Sequence, residues 1–399
     1  MLIDSIKRYF DKCNVALVDK FVPYYCSSIA CHVANLENRQ REFYIRQGKV
    51  QNLRLHIFFI APPGFSKSLL LRGLLGDSTK RDEEDVSQIG NDYSALSRCD
   101  IETGFEGLLT EASYVGSFKH INNEKVIVKG AAWEHRKAIL GVDEFSVLSD
   151  TMTLSYGKSL DKALLTSLDD GYLKKRLTGG KIQYITQLTL WTGSQPMRFD
   201  LSSGIGRRLL FIYFIPTEEE EKLIKDMSRR EDKSLPSPQI LNTIADDLEL
   251  MRANISKLQS IEFEDKIYEV LDRFNVPHFE ENLFRRLALG YNLAKYEDID
   301  ENMVVKMDDE LEELFEKEAK WRKEIKKGPE VSQVMRILED RQLMRISDLK
   351  EKLTDFGLSY KQATKAIREL KSAGIVESVK HNIETTGKVK RYIKLTELA

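Results

Sequence analysis

Two stretches of this 399-residue chain carry residues whose types and spacing suit phosphoryl transfer. The first is Ala61-Pro62-Pro63-Gly64-Phe65-Ser66-Lys67-Ser68, which follows the apolar run Leu55 to Ile60 and leads into Leu69-Leu70-Leu71-Arg72-Gly73-Leu74-Leu75. A phosphate loop has a glycine, four residues, then Gly-Lys-Ser/Thr, because backbone N–H groups must wrap the phosphates and the lysine must reach them. Here Ala61 stands at the first glycine and Ser66 at the second, while Gly64 remains inside the loop. Lys67 and Ser68 sit where the phosphate-binding lysine and the magnesium hydroxyl belong. Taken alone, the stretch reads equally well as a lysine on a strand-to-helix turn.

The second stretch is Ala138-Ile139-Leu140-Gly141-Val142-Asp143-Glu144-Phe145, a buried strand ending in adjacent carboxylates. In a nucleotide hydrolase the first carboxylate, Asp143, helps hold magnesium, and the second, Glu144, orients and polarises the attacking water. Both are expected at the carboxyl end of a strand neighbouring the loop. An Asp-Glu pair at a strand end is by itself more often a solvated turn; joined with a strand and a Lys-Ser loop, it argues for a nucleotide hydrolase that uses Mg2+. A third strand, Leu188 to Thr192, ends in Gly193-Ser194-Gln195-Pro196, where Gln195, or second to it Ser194, is placed to contact the attacking water or the γ-phosphate. Gly204-Ile205-Gly206-Arg207-Arg208 then precedes the strand Leu209 to Ile215, and arginines there would face the nucleotide of a neighbouring subunit, stabilising charge in the transition state. The competing reading is a surface cation pair.

The elements that must position these groups follow from the hydrophobic pattern. Residues 1–50 read as helices, with Ile3, Ile6, Tyr9 and Phe10 at helical spacing. From about 54 to 215, short β-rich runs alternate with helical or looped stretches, the rhythm of an α/β core with a parallel sheet. Residues 217–327 are nearly all helical in pattern and stop at Gly328-Pro329. Residues 331–396 read as three helices and a hairpin, a winged helix-turn-helix arrangement. The expected domains are N-terminal helices packed on the core (1–50), an α/β core (51–216), a helical lid (217–328) and a winged-helix domain (329–399).

Composition sets the outer limits. Charged residues make up 31% and hydrophobic ones 42%, a soluble helix-rich mixture. The apolar runs are too short to span a bilayer, and Asp4 lies where a secretion signal would carry only positive charge, so the expected place is the cytoplasm and no membrane partner is expected. Cys13, Cys26, Cys31 and Cys99 show no zinc or disulfide spacing and read as packing residues. Net charge is −2, but residues 331–399 hold 14 Lys or Arg against 9 Asp or Glu, a net of +5 that leaves −7 for the first 330. Any basic surface is therefore concentrated at the carboxyl end.

These residues resemble the helicase branch of AAA+ ATPases, and within it the minichromosome maintenance family and related helicases of mobile elements. That family's loop reads Gly-Asp-Pro-Gly-x-Ala-Lys-Ser, so a small residue before the lysine is normal there, and Ala61 to Ser68 is similar to it. Gly141-Val142-Asp143-Glu144-Phe145 is similar to the family's Ile-Asp-Glu-Phe, and Ser194-Gln195-Pro196 to its Ala-Asn-Pro, with Gln195 in place of Asn. The resemblance implies an AAA+ core in which Pro63, Gly64, Phe65, Ser66, Lys67 and Ser68 bind ATP, Ser68 and Asp143 hold magnesium, and Arg285 or Arg286 in the lid reads the nucleotide. It further implies a homo-oligomeric ring, with a hexamer favoured. Thr103 to Ala112 and the hairpin-like Phe118 to Val128 occupy the place of the family's insert within its second helix. Leu173 to Tyr184 reads as a second hairpin with a Gly-Gly turn and a cationic tip. In the family both elements carry DNA in a central channel, and Lys174, Lys175, Arg176 and Lys181 suit a phosphate grip indifferent to sequence. In the winged helix, Lys361, Lys365, Arg368, Lys388, Lys390 and Arg391 are the candidate DNA contacts, the competing reading being a surface that docks protein. The large amino-terminal DNA-binding domain of cellular members has no room in the first 50 residues, which suits a compact helicase for replication of a mobile element.

The leading expectation is thus an ATP-dependent DNA helicase or translocase acting on single-stranded or forked DNA. The alternative is an ATP-switched replication initiator or regulator that binds DNA through the winged helix. A non-hydrolysing structural protein fits poorly with the Asp143-Glu144 pair.

Overall fold

Five short strands form one parallel sheet: β1 His56–Ile60, β2 Thr103–Glu106, β3 Ile139–Val142, β4 Thr189–Ser194 and β5 Leu209–Tyr213. Their order is β5-β1-β4-β3-β2, with every neighbouring pair parallel. Every residue of β1, β3, β4 and β5 is buried, as parallel strands covered on both faces require. The computed structural model describes residues 1–13, 15–41, 44–45, 52–62, 64–65, 67–76, 96, 101–106, 109–121, 124–142, 158–177, 180–195, 205–229, 238–327, 329–372, 375–382 and 389–396.

Two sequence expectations change here. The strand that precedes the carboxylates, β3, is not the immediate neighbour of the loop strand β1, because β4 lies between them. The two strands are therefore about 10 Å apart at a strand spacing of about 4.8 Å. In addition, Thr103–Glu106 belongs to no insert: it pairs with β3 as the sheet's edge strand. The adjoining hairpin is formed, with Gly116–Ile121 antiparallel to Glu124–Lys129. The second hairpin pairs Tyr172–Leu177 with Gly180–Ile185.

The amino-terminal segment supplies the helices Leu2–Lys12 and Val22–Arg41. The second crosses the sheet: the Ser28 hydroxyl donates to Leu55 O (2.5 Å) and accepts from the Trp191 indole (2.7 Å), and Tyr25 meets Trp191 edge to face. It also packs tightly on the helix Glu281–Lys295, where a Cβ on Gly290 would lie 2.1 Å from Ser27 O. Only glycine allows the two backbones to approach so closely.

The segment after β5 is less purely helical than its pattern suggests. Between its helices lie two four-residue strands, Ser260–Phe263 and Asn302–Val305, parallel to each other and to Tyr44–Ile45. Thus the helix Val22–Arg41 and the strand Tyr44–Ile45 join this subdomain, and the helix packs on the core as well. The carboxyl-terminal part has helices Pro329–Arg341, Ile346–Asp355 and Tyr360–Ser372. Leu343–Arg345, between the first two helices, joins Val389–Leu395 and Val376–Asn382 in an antiparallel sheet with Val389–Leu395 in the middle. Pro329 opens its helix at the position where a missing N–H costs nothing. Among the described residues no helix is long and apolar enough to cross a membrane.

Candidate nucleotide site and cationic hairpin

The chain leaves β1 at Ile60, and Ala61 N donates to Ser194 O (3.2 Å), fastening the loop to the end of β4. Gly64 has φ +82° with open space where a side chain would stand, so the backbone conformation is what calls for glycine. The nine-residue helix Lys67–Leu75 begins at once, and its first-turn N–H groups form an anion-favouring end. Lys67 Nζ donates to Ala61 O (2.7 Å) and Pro62 O (3.1 Å), so the ammonium is curled over the loop's own carbonyls. Its methylene stem lies against Gly193 of β4, where a Cβ would be 3.3 Å from Lys67 Cδ and 2.9 Å from Phe59 O. Gly193 is a site residue the motif reading missed. Its signal is a glycine inside a strand, which marks a close approach.

At the end of β4, Ser194 is buried and its hydroxyl donates to Gln195 O (2.8 Å), which commits it to the backbone. Gln195 is half-buried beside the loop. Its Oε1 lies 3.1 Å from where a Cβ on Gly357 would stand, and the Phe65 ring packs edge to face on Phe356 with centroids 6.4 Å apart. The carboxyl-terminal part thus rests on both the lysine loop and the end of β4. Ser68 is half-buried in the helix's first turn. Pro63, Ser66, Asp143, Glu144 and Lys388 lie outside the described residues. The last described residue before the carboxylates, Val142, accepts a hydrogen bond from Thr192 Oγ1 (2.8 Å).

The arginines lie at the other end of the sheet. Arg207 and Arg208 sit in the 3-10 turn Ile205–Arg208 directly before β5, whose first residue pairs with His56 at the start of β1. The five residues of strand at about 3.3 Å each put them roughly 16 Å from the Lys67 loop. Arg208 donates to Asp169 Oδ2 (2.5 Å). Arg207 is exposed, with its guanidinium 5.6 Å from the ring of Phe279. Arg286 donates to Arg54 O (2.8 Å) and Asn282 O (3.1 Å), again at the amino ends, while Arg285 is bonded to Asn282 Oδ1 and stacked over Phe263 at 5.9 Å. The structure therefore brings Lys67 and Gln195 together and places neither Arg285 nor Arg286 with them. A contact from either to nucleotide on the same chain's loop does not fit this placement.

The amino ends carry a dense polar network. Arg54, 1% exposed, donates to Leu188 O (2.9 Å) and Asp169 O (3.1 Å), fixing the base of the Tyr172–Ile185 hairpin. His56 Nδ1 accepts from Leu190 N (3.0 Å), so its Nε2 carries the proton towards Leu168 O (3.0 Å). Burial first, then the nearby Arg54 charge, holds its pKa well below the usual histidine value. Burial likewise lowers His32, bonded to Thr189 and the Lys137 carbonyl, to about 4.

On the hairpin the structure divides the four expected cations. Lys174, Arg176 and Lys181 are exposed on one face, where Arg176 stands directly opposite Lys181 and Lys174 opposite Gln183. Lys175 lies on the other face, paired with Glu111 at 3.3 Å. Like charges directly across a strand pair are destabilising, so this juxtaposition invites an anionic partner. Beneath, Trp133 meets Tyr184 edge to face at 5.0 Å, and Lys129 and Arg136 stand over the Trp133 ring at 5.2 and 5.3 Å. In the carboxyl-terminal part, Lys361, Lys365 and Arg368 are exposed on the helix Tyr360–Ser372. Arg391 is exposed on the middle strand, where the backbone of Lys390 is in register with that of His381. No protein-family model matches the chain, and a search of curated proteins finds no match.

Proposed function

We propose that the chain is an ATP-dependent DNA helicase or translocase of the AAA+ type, similar to the minichromosome maintenance family, with the carboxyl-terminal part acting as a winged helix. The observation that carries this reading is the division of the sheet. A lysine loop and a polar Gln195 occupy the carboxyl ends, while an exposed arginine stands at the amino end of β5, roughly 16 Å away by strand length and out of reach of its own loop. An arginine so placed suits a nucleotide held by another copy of the chain, and a ring provides that copy.

The loop's residues fit ATP. Lys67 now satisfies itself on two backbone carbonyls, and phosphate oxygens are stronger acceptors for the same ammonium. The first-turn N–H groups favour the same charge. Ser68 and Asp143 would hold magnesium, which when bound shields the phosphate charge. Glu144 would orient and polarise the attacking water, and Gln195 would contact that water or the γ-phosphate. The exposed Lys174, Arg176 and Lys181 would grip DNA phosphates. The exposed cations of the helix Tyr360–Ser372 support the second reading, an initiator that binds DNA through this part and uses ATP for assembly. Forked-DNA unwinding separates the two. Lys67→Ala is expected to abolish nucleotide binding, and Glu144→Gln to keep binding and lose turnover; normal hydrolysis by Glu144→Gln would overturn the catalytic assignment.

A further inference from the structure

The outer edge of the sheet carries a buried charged group that the nucleotide site does not use. Arg322, 4% exposed, projects from the helix Asp309–Lys327 against β5. Its Nε donates to Glu318 Oε1 (2.8 Å), its Nη2 to Leu209 O (2.5 Å), and both terminal nitrogens to Gly206 O (3.3 Å). Its Nη1 also pairs with Glu280 at 3.3 Å. Glu318, fully buried, accepts from the edge-strand amide Phe211 N (3.0 and 3.1 Å), and the guanidinium lies 5.1 Å from the Phe211 ring.

An edge strand needs a partner for its outward N–H groups, but a neutral side chain would serve for that. Burying an arginine between two carboxylates is expensive, and the planar five-donor fork is the one group that can fix several acceptors at set angles. The acceptors it fixes are informative. Gly206 and Leu209 bracket Arg207 and Arg208, and Glu280 is the next residue after Phe279, whose ring, 49% exposed, lies beside the Arg207 guanidinium. Arg322 therefore holds both the turn that presents Arg207 and the turn that presents the ring beneath it. On the far side, Asp169 draws Arg208 back to the chain.

We infer that Arg322 is a positioning residue for Arg207: it clamps the Gly206–Leu209 turn and the Phe279–Glu280 turn together, so that Arg207 alone of the pair is presented outward to a neighbouring subunit. This rests on the reading of Arg207 as an arginine acting on another subunit's nucleotide. Arg322→Lys keeps the charge opposite Glu318 and Glu280 but cannot span the same acceptors. A misplacement of about 1 Å costs about 10²-fold in rate.

The test compares ATP turnover, nucleotide affinity and melting in the full-length protein for Arg207→Ala, Arg322→Lys and the double variant. The expected result is a loss of roughly 10- to 100-fold in kcat for Arg322→Lys with nucleotide Kd within about twofold, and a double variant no slower than Arg207→Ala. Losses that multiply in the double variant, or full turnover by a folded Arg322→Lys protein while Arg207→Ala is impaired, would overturn the positioning role alone. Full turnover by Arg207→Ala would instead remove the reading beneath it. Should Arg322→Lys fail to fold, Phe279→Ala at the exposed side of the same device decides: slowed turnover with unchanged Kd supports the inference, and wild-type turnover overturns it.

Discussion

Gly193 offers a direct probe of the lysine loop, because a single methyl group there meets two atoms of different stiffness. In Gly193→Ala the new Cβ would lie 2.9 Å from Phe59 O and 3.3 Å from Lys67 Cδ, both tighter than ordinary contact. Phe59 is paired with Gly193 in the β1–β4 ladder and cannot yield alone, so β4 must move or its hydrogen bonds lengthen. Overpacking of this kind costs about 1–3 kcal/mol. At about 1 °C per kcal/mol for a chain of 399 residues, melting should fall by roughly 1–4 °C. The Lys67 stem can yield, but only by carrying its ammonium away from the loop. A charge-assisted contact is worth about 1.5–3 kcal/mol, so losing part of it should weaken nucleotide binding by roughly 3- to 20-fold. Lys67→Ala should lose more. Titration with a fluorescent ATP analogue and magnesium, beside thermal melting of the same samples, reads both effects. Wild-type melting and wild-type affinity in Gly193→Ala would refute the packing argument, and wild-type affinity in Lys67→Ala would refute the site.

Replacing Lys174, Arg176 and Lys181 by alanine should weaken single-stranded DNA binding and lower its salt slope by about 2, at about 0.7 per lost phosphate contact, whereas Lys175→Ala should leave the slope unchanged. An equal slope in the triple variant would count against the exposed face. Stability should fall as pH drops from about 6.5 towards 4, because the unfolded chain takes up protons that buried His32 and His56 refuse. His32 alone, lowered to about 4, accounts for about 3 kcal/mol. Glu318, raised to about 7 by burial, acts in the opposite sense, its stabilisation being lost as pH rises from about 4.5 to 7. Chemical denaturation in Glu318→Gln should therefore show a steeper acid loss than in the wild type, and parallel curves would contradict the assignment.

Much of the core was legible because apolar runs such as His56 to Ile60 have only one way to be buried on both faces. The hairpin of residues 172–185 was equally plain, since alternation and a Gly-Gly turn state a hairpin locally. What could not be read is whatever depends on which strands become neighbours. The interposition of β4, the edge place of Thr103–Glu106 and the joining of Tyr44–Ile45 to two distant strands arise from long-range pairing. Strands of four residues, such as Ser260–Phe263, offer too few turns of a pattern to oppose the helices around them. Glu318 and Arg322 look like the solvated face of a charged helix, and only the packing against β5 shows otherwise. The same holds for Arg207 and Arg208, whose adjacency hides that one is drawn back to Asp169.

The tight crossing of the helices Val22–Arg41 and Glu281–Lys295 also sets a timetable for biosynthesis. Cys31 bonds to the carbonyl of Arg286, 255 residues further along. At about 5–20 residues per second, the first helix leaves the ribosome roughly 13–50 s before the partner it needs. Tyr25, fully buried at the end, waits for Trp191, and Tyr24 waits longer still, for Trp321. The amino-terminal segment is made early and finds its place late.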